Sequence, residues 1–135
     1  ARLPYLLPVE EVLAVLDKKE ALANLMEDNH PRFCTWDNKD DHYLWAKSLL
    51  KLGKVKEALE HLRMAAEAAI AFDNRPEEER VESLLLGERT IKRVDYDSAD
   101  SRPLREILRD KDLAEPEFDT VRESAQFREI MRMLS

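Results

Sequence analysis

The stretch Leu49-Leu50-Lys51-Leu52-Gly53-Lys54-Val55-Lys56-Glu57-Ala58-Leu59 decides how this chain is read. Gly53 is one of only two glycines among 135 residues, and it stands where one apolar periodicity stops and another starts. Glycine adopts a left-handed conformation at little cost, so it suits the position just past a helix end. The pattern predicts two helices joined by a tight turn. Backward from Gly53, Trp45, Ala46, Leu49 and Leu52 share an inner face, and Asp37 or Asn38 is placed to cap that helix. Forward from it, Val55, Ala58, Leu59, Leu62, Ala65, Ala66 and Ala69 keep one stripe as far as about Phe72. The alanines allow the two helices to approach closely.

Outward from this pair the chain reads as one helical domain over 1–135. Residues 1–8 are a linker or docking segment, apolar and punctuated by Pro4 and Pro8. The missing initiator methionine suggests either an excised piece of a longer protein or simple processing before Ala1. A first helix is expected from about Pro8 to Asp28, with Val12, Val15, Leu16, Lys19, Leu22, Ala23 and Met26 along one side. A fourth is expected from Pro76 to near Gly87, with Glu77, Glu78 and Glu79 in its first turn and Val81, Leu84 and Leu85 buried. Residues 88–102 read as an irregular loop. The C-terminal cap, 103–135, holds a short helix around Leu104, Ile107 and Leu108, preceded by Asp100 or Ser101 as its cap. A last helix follows Ser124, with Phe127, Ile130, Met131 and Leu134 at spacings of three and four.

The composition excludes several classes of function. Apolar residues make up 44% and charged residues 38%, which suits a globular domain. The net charge of −7, with no basic run, argues against direct nucleic-acid binding, whose affinity comes from neutralising phosphates. No apolar run approaches the roughly 20 residues that cross a bilayer. Cys34 is the sole cysteine, so no intrachain disulfide forms, and a reducing cytoplasm is the natural setting.

The segment 39–70 resembles a tetratricopeptide unit. Such a unit is two antiparallel helices in about 34 residues, with small residues at the crossing. Trp45, Ala46 and Leu49 match its first-helix positions, Gly53 its turn, and Ala58, Leu62 and Ala65 its second-helix positions. His42 and Ile70 depart from the pattern, as a divergent or terminal unit would. The tail, Phe118-Asp119 and Val121-Arg122 followed by Phe127 and Ile130, is similar to the closing segment after such arrays in bacterial regulators. Together the layout resembles the C-terminal half of Cro/repressor-type (XRE-like) helix-turn-helix regulators of gut Firmicutes. The resemblance implies an all-α fold, with tetratricopeptide-like antiparallel hairpins in a short right-handed stack and a C-terminal capping helix. It also implies an upstream DNA-binding domain that these residues do not contain.

Chemistry is sparse. His30, Cys34, Asp37 and His42 are residue types that bind zinc, but their spacing fits no standard site. A packed thiol and half-exposed histidines explain them better, and no metal or cofactor is expected. Asp95, Asp97 and Asp100 with Glu106 faintly echo a calcium loop, but Ala99 and Asp100 occupy positions that need an oxygen ligand and a glycine. No glycine-flanked elbow presents Cys34 or a serine as a nucleophile, so an enzyme is not expected. Arg122, Arg128 and Arg132 give the last helix a basic side, which either docks an acidic partner or pairs with nearby glutamates.

The reading is therefore a cytoplasmic regulatory module that binds a protein or peptide, with self-association among the options. It binds no membrane, and this segment makes no direct nucleic-acid contact. Asp41, Tyr43, Lys47 and Arg63 are its candidate groove residues. The alternatives are a homodimerisation scaffold without a ligand and, less favoured, a small metal-dependent enzyme using the 30–42 cluster.

Overall fold

A computed structural model describes residues 8–26, 35–85, 87–92 and 101–135. Three long helices come first: α1 (Val9–Met26), α2 (Thr35–Lys51) and α3 (Val55–Asp73). Leu52-Gly53-Lys54 joins the last two. Lys54 N–H donates to Leu49 O at 2.9 Å and Gly53 N–H to Leu50 O at 3.0 Å. These two bonds close α2 in a Schellman cap, which needs a left-handed residue, and Gly53 supplies it with φ +74°. The turn predicted from the glycine is therefore present, but α2 starts at Thr35, so Asp37 and Asn38 lie inside the helix rather than at its cap, with Asp37 in the first turn.

Ala46, Ala65, Ala66 and Ala69 are fully buried, and Leu62 and Ala58 nearly so. The small side chains bring α2 and α3 together over most of their length. Leu52 and Val55, expected on the inner faces, are partly exposed because they flank the turn.

The expected fourth helix over 76–86 is not there. That stretch forms a β-hairpin of β1 (Glu78–Ser83) and β2 (Gly87–Lys92), antiparallel, with Ser83 opposite Gly87 and Glu78 opposite Lys92. Strand β2 also replaces the first part of the irregular loop expected over 88–102. Gly87, at φ +72°, is not a helix stop but opens β2 where the chain reverses. Val81, Thr90 and Ile91 are β-branched and favour the extended backbone. Leu84, expected in the core, is 96% exposed at the turn, and Leu85 is 60% exposed. Arg75 ties the hairpin to the end of α3 through Glu79 at 2.7 Å.

The chain then forms α4 (Leu104–Ile107), which widens into a π-helical turn over Leu108–Asp112. Its N-cap position is Pro103 rather than Ser101, and Asp100 lies outside the described residues. Asp73, the last residue of α3, accepts Leu104 N–H on Oδ1 at 2.7 Å and Arg105 N–H on Oδ2 at 3.0 Å. One carboxylate thus satisfies two helix-start donors and pins α4 to α3. A short 3-10 turn, Pro116–Phe118, leads to α5 (Ala125–Met133). Ser124 Oγ accepts Phe127 N–H at 3.2 Å and so caps the last helix, which begins where expected.

The main core lies between α2–α3 and this C-terminal segment. Leu62, Ala66, Leu108, Leu113, Phe118, Val121, Phe127, Ile130 and Leu134 form it, all at most 2% exposed. α1 lies outside this cluster and packs chiefly on α2. Of its expected stripe Val12 and Leu16 are buried, whereas Val15 and Leu22 are exposed. Among the described residues no helix is long and apolar enough to cross a membrane.

Candidate functional site

The four groove candidates do not converge. Asp41 and Tyr43 are two residues apart on α2, so they point about 200° apart around the helix. Asp41 faces α1, where Lys19 Nζ donates to its Oδ1 at 2.8 Å. Tyr43 and Lys47 face the C-terminal segment. The Tyr43 hydroxyl donates to Glu115 Oε1, Lys47 Nζ donates to Glu115 Oε2 at 3.2 Å, and the Tyr43 ring packs beside Phe118. Glu115 fills the place at which a partner would have been read, and nothing in the local sequence advertises it. Arg63 sits on α3 and pairs with Glu67 one turn on, at 3.6 Å. It also lines a groove of about 450 Å³ between α3 and α5, floored by Leu59 and Ile130 and rimmed by Lys56, Glu60, Gln126 and Glu129.

The basic side of the last helix is consumed internally. Arg122 donates to Asp119 and to the carbonyls of Leu113 and Glu115, Arg128 pairs with Glu123, and Arg132 with Glu129. The C-terminal segment thus presents a polar outer face over an apolar inner one.

Of the zinc-type residues, His30 and Cys34 lie outside the described residues. His42 is 9% exposed, not half-exposed as expected. Its Nδ1 lies 2.9 Å from Nδ1 of His61, and its Nε2 lies 3.8 Å from Glu20 Oε1. Trp45 stacks on His61 at 4.2 Å between centroids and on His42 at 5.7 Å. Among the described residues no group of three or more His, Cys, Asp or Glu is arranged to hold a metal ion. Burial holds both imidazoles below their ordinary value, and His42 lowers His61 further. His61 was not singled out in the sequence, although a signal existed. It belongs to the α3 stripe between Ala58 and Ala65, and it stands as far after Gly53 as Trp45 stands before it.

The outer side of α1 is different in kind. Val15, Leu22 and Leu25 are 41%, 54% and 61% exposed, a row at spacings of seven and three on one face. The row lies on a helix held by Val12, Leu16 and two polar contacts to α2. Burying this row would add apolar area without breaking an internal pair.

No family model matches the chain, and comparisons with curated proteins and with solved structures find no match either.

Proposed function

We propose that the chain is a cytoplasmic regulatory protein-interaction module, the C-terminal part of a bacterial helix-turn-helix transcription regulator. In this reading α2 and α3 are a divergent tetratricopeptide-like unit. The segment from α4 to α5 closes one flank, and α1 offers the other flank to a protein or peptide. The exposed row Val15, Leu22 and Leu25 carries the reading. Helical repeats cannot bury both faces alone, so an end without a polar cap is an end that expects a neighbour. The small residues at the α2–α3 crossing and the net charge of −7 also support it, the latter by disfavouring DNA contact through this segment.

The test uses light scattering and calorimetry on the chain and on the Leu22→Glu/Leu25→Glu double variant. The reading expects either a concentration-dependent dimer or binding of a regulator's other domain, and loss of that association in the variant. A chain that stays monomeric, binds neither peptides nor helix-turn-helix domains, and ignores the double substitution would sink it. The second reading, a homodimerisation scaffold, draws on the same row, because one helix face can pair with its own copy about a two-fold axis. A dimer that takes up no further protein would favour it.

A further inference from the structure

With α1 as the docking flank of the reading above, we propose that its outer face takes an amphipathic helix from another protein, one that sets a carboxylate against Lys18, and not a second copy of this chain. Positions seven apart on a helix return to within about 20° of one another. Glu11, Lys18 and Leu25 are so related, and all three are exposed. Val15 and Leu22 flank that line on one side and Ala14 and Ala21 on the other, again exposed. Val15, Lys18, Leu22 and Leu25 therefore follow the 3-4-3 spacing of a two-stranded helical seam, with one cation in an otherwise apolar row. A single polar residue in such a row sets register and partner.

The residues one turn from Lys18 are Ala14, Val15, Ala21 and Leu22, none of them charged, so no carboxylate stands three or four positions away on α1. Lys19, about 100° round the helix, is the lysine that turns to α2 and pairs with Asp41 at 2.8 Å. Covering the row thus buries an ammonium that its own helix does not pair, and burying an unpaired charge is costly. A second copy does not remove that cost. In a parallel pair, or an antiparallel one centred on residue 18, Lys18 meets Lys18 of the second copy, like charge on like. Shifted so that Val15 faces Leu25, the antiparallel pair sets Lys18 against Leu22. The register that gives Lys18 to Glu11 brings Ala14 against Val15 and leaves Leu22 and Leu25 outside the overlap. Apolar burial and charge pairing exclude each other between two copies of α1. A foreign helix with leucines and one glutamate or aspartate in register supplies both.

The experiment uses two designed three-heptad peptides with leucine at the seam positions and, at the central one, glutamate in the first and lysine in the second. Calorimetry measures each against the chain and against Lys18→Glu. Light scattering follows self-association of the chain and of Lys18→Leu. Expected is at least about tenfold tighter binding of the glutamate peptide by the chain, and the reverse preference in Lys18→Glu. The chain should stay monomeric at concentrations where Lys18→Leu, whose row is unbroken, forms a dimer. Equal binding of the two peptides, binding of neither, a preference that survives Lys18→Glu, or a monomeric Lys18→Leu would overturn the proposal. So would a dimer of the chain that Leu22→Glu/Leu25→Glu abolishes, a result that removes the foreign partner but keeps α1 as a docking flank. A chain that associates with nothing and ignores every substitution loses the docking flank as well. Lys18 is exposed, so its substitutions probe the seam and leave the core intact.

Discussion

The two flanks of α2 are built on different principles. On one, Tyr43 and Lys47 meet Glu115, and behind them Phe118, Phe127, Ile130 and Leu134 share a single core with α3. On the other, among the described residues α1 buries Val12 and Leu16 and adds the Lys19–Asp41 and Glu20–His42 contacts. The first flank is part of the fold's cooperative unit, with its outer polar groups paired internally. The second is a helix resting on the unit, with its outer apolar groups left in water. The difference shows how one helical pair can carry a permanent neighbour on one side and an exchangeable one on the other. The permanent side has a fused core, and the exchangeable side has a few separable contacts.

Truncation should separate the flanks most clearly. Phe118→Ala removes a fully buried ring from the shared core and should cost about 3–5 kcal/mol, read as a lowered global midpoint in urea. Leu16→Ala should cost about 2 kcal/mol and should act locally. The expected signature is lost exchange protection in α1 with little change in the main transition. If Leu16→Ala lowers the global midpoint as far as Phe118→Ala does, the comparison fails and α1 belongs to the same unit. Ser124→Ala removes the cap of α5 and should cost about 1 kcal/mol, again globally, since α5 carries core residues.

The pH dependence sharpens the contrast with a smaller, reversible change. Burial depresses both His42 and His61 below 6.5, so as pH falls the unfolded chain takes up protons first. The associated stability is fully present above about pH 6.5 and is lost as pH drops through the depressed values. Denaturation midpoints measured between pH 8 and 5.5 should decline for the chain and decline less in His61→Phe, where only the buried His42 contributes. Asp112 and Glu115, raised by burial, act with the opposite sign, but only nearer the carboxylate range. The smallest effect should come from Lys19 and Asp41. A double-mutant cycle on this partly exposed pair should give a coupling of about 0.5 kcal/mol or less. A coupling several times larger would mean that α1 is fastened electrostatically and is not readily released.

The α2–α3 pair was legible because its signals are local and agree. Gly53 marks the turn, the alanine stripe marks the crossing, and Ser124 with Phe127 and Ile130 marks the last helix in the same way. The region 76–92 was misread because its signals conflict. Pro76 and three glutamates imitate a helix start, while the β-branched residues and a turn glycine favour a hairpin, and periodicity over so short a run does not arbitrate. The four groove candidates do not share one face, for another reason. Tyr43 and Lys47 are polar residues on an exposed-looking helix face, and their partner, Glu115, stands about 70 residues downstream, beyond any local window. His61 could have been found by folding the sequence about Gly53.

The residues alone determined that this chain is mainly helical, where its central turn lies and which faces of α2, α3 and α5 are apolar. Those properties follow from backbone preference and side-chain period within a turn or two of each residue. Only the tertiary structure decided which of two identical-looking flanks is closed, that Asp73 caps a helix 31 residues away, and that two histidines on different helices meet nitrogen to nitrogen. Each of these depends on which surfaces meet, and that is set by the packing of the whole core rather than by any segment of it.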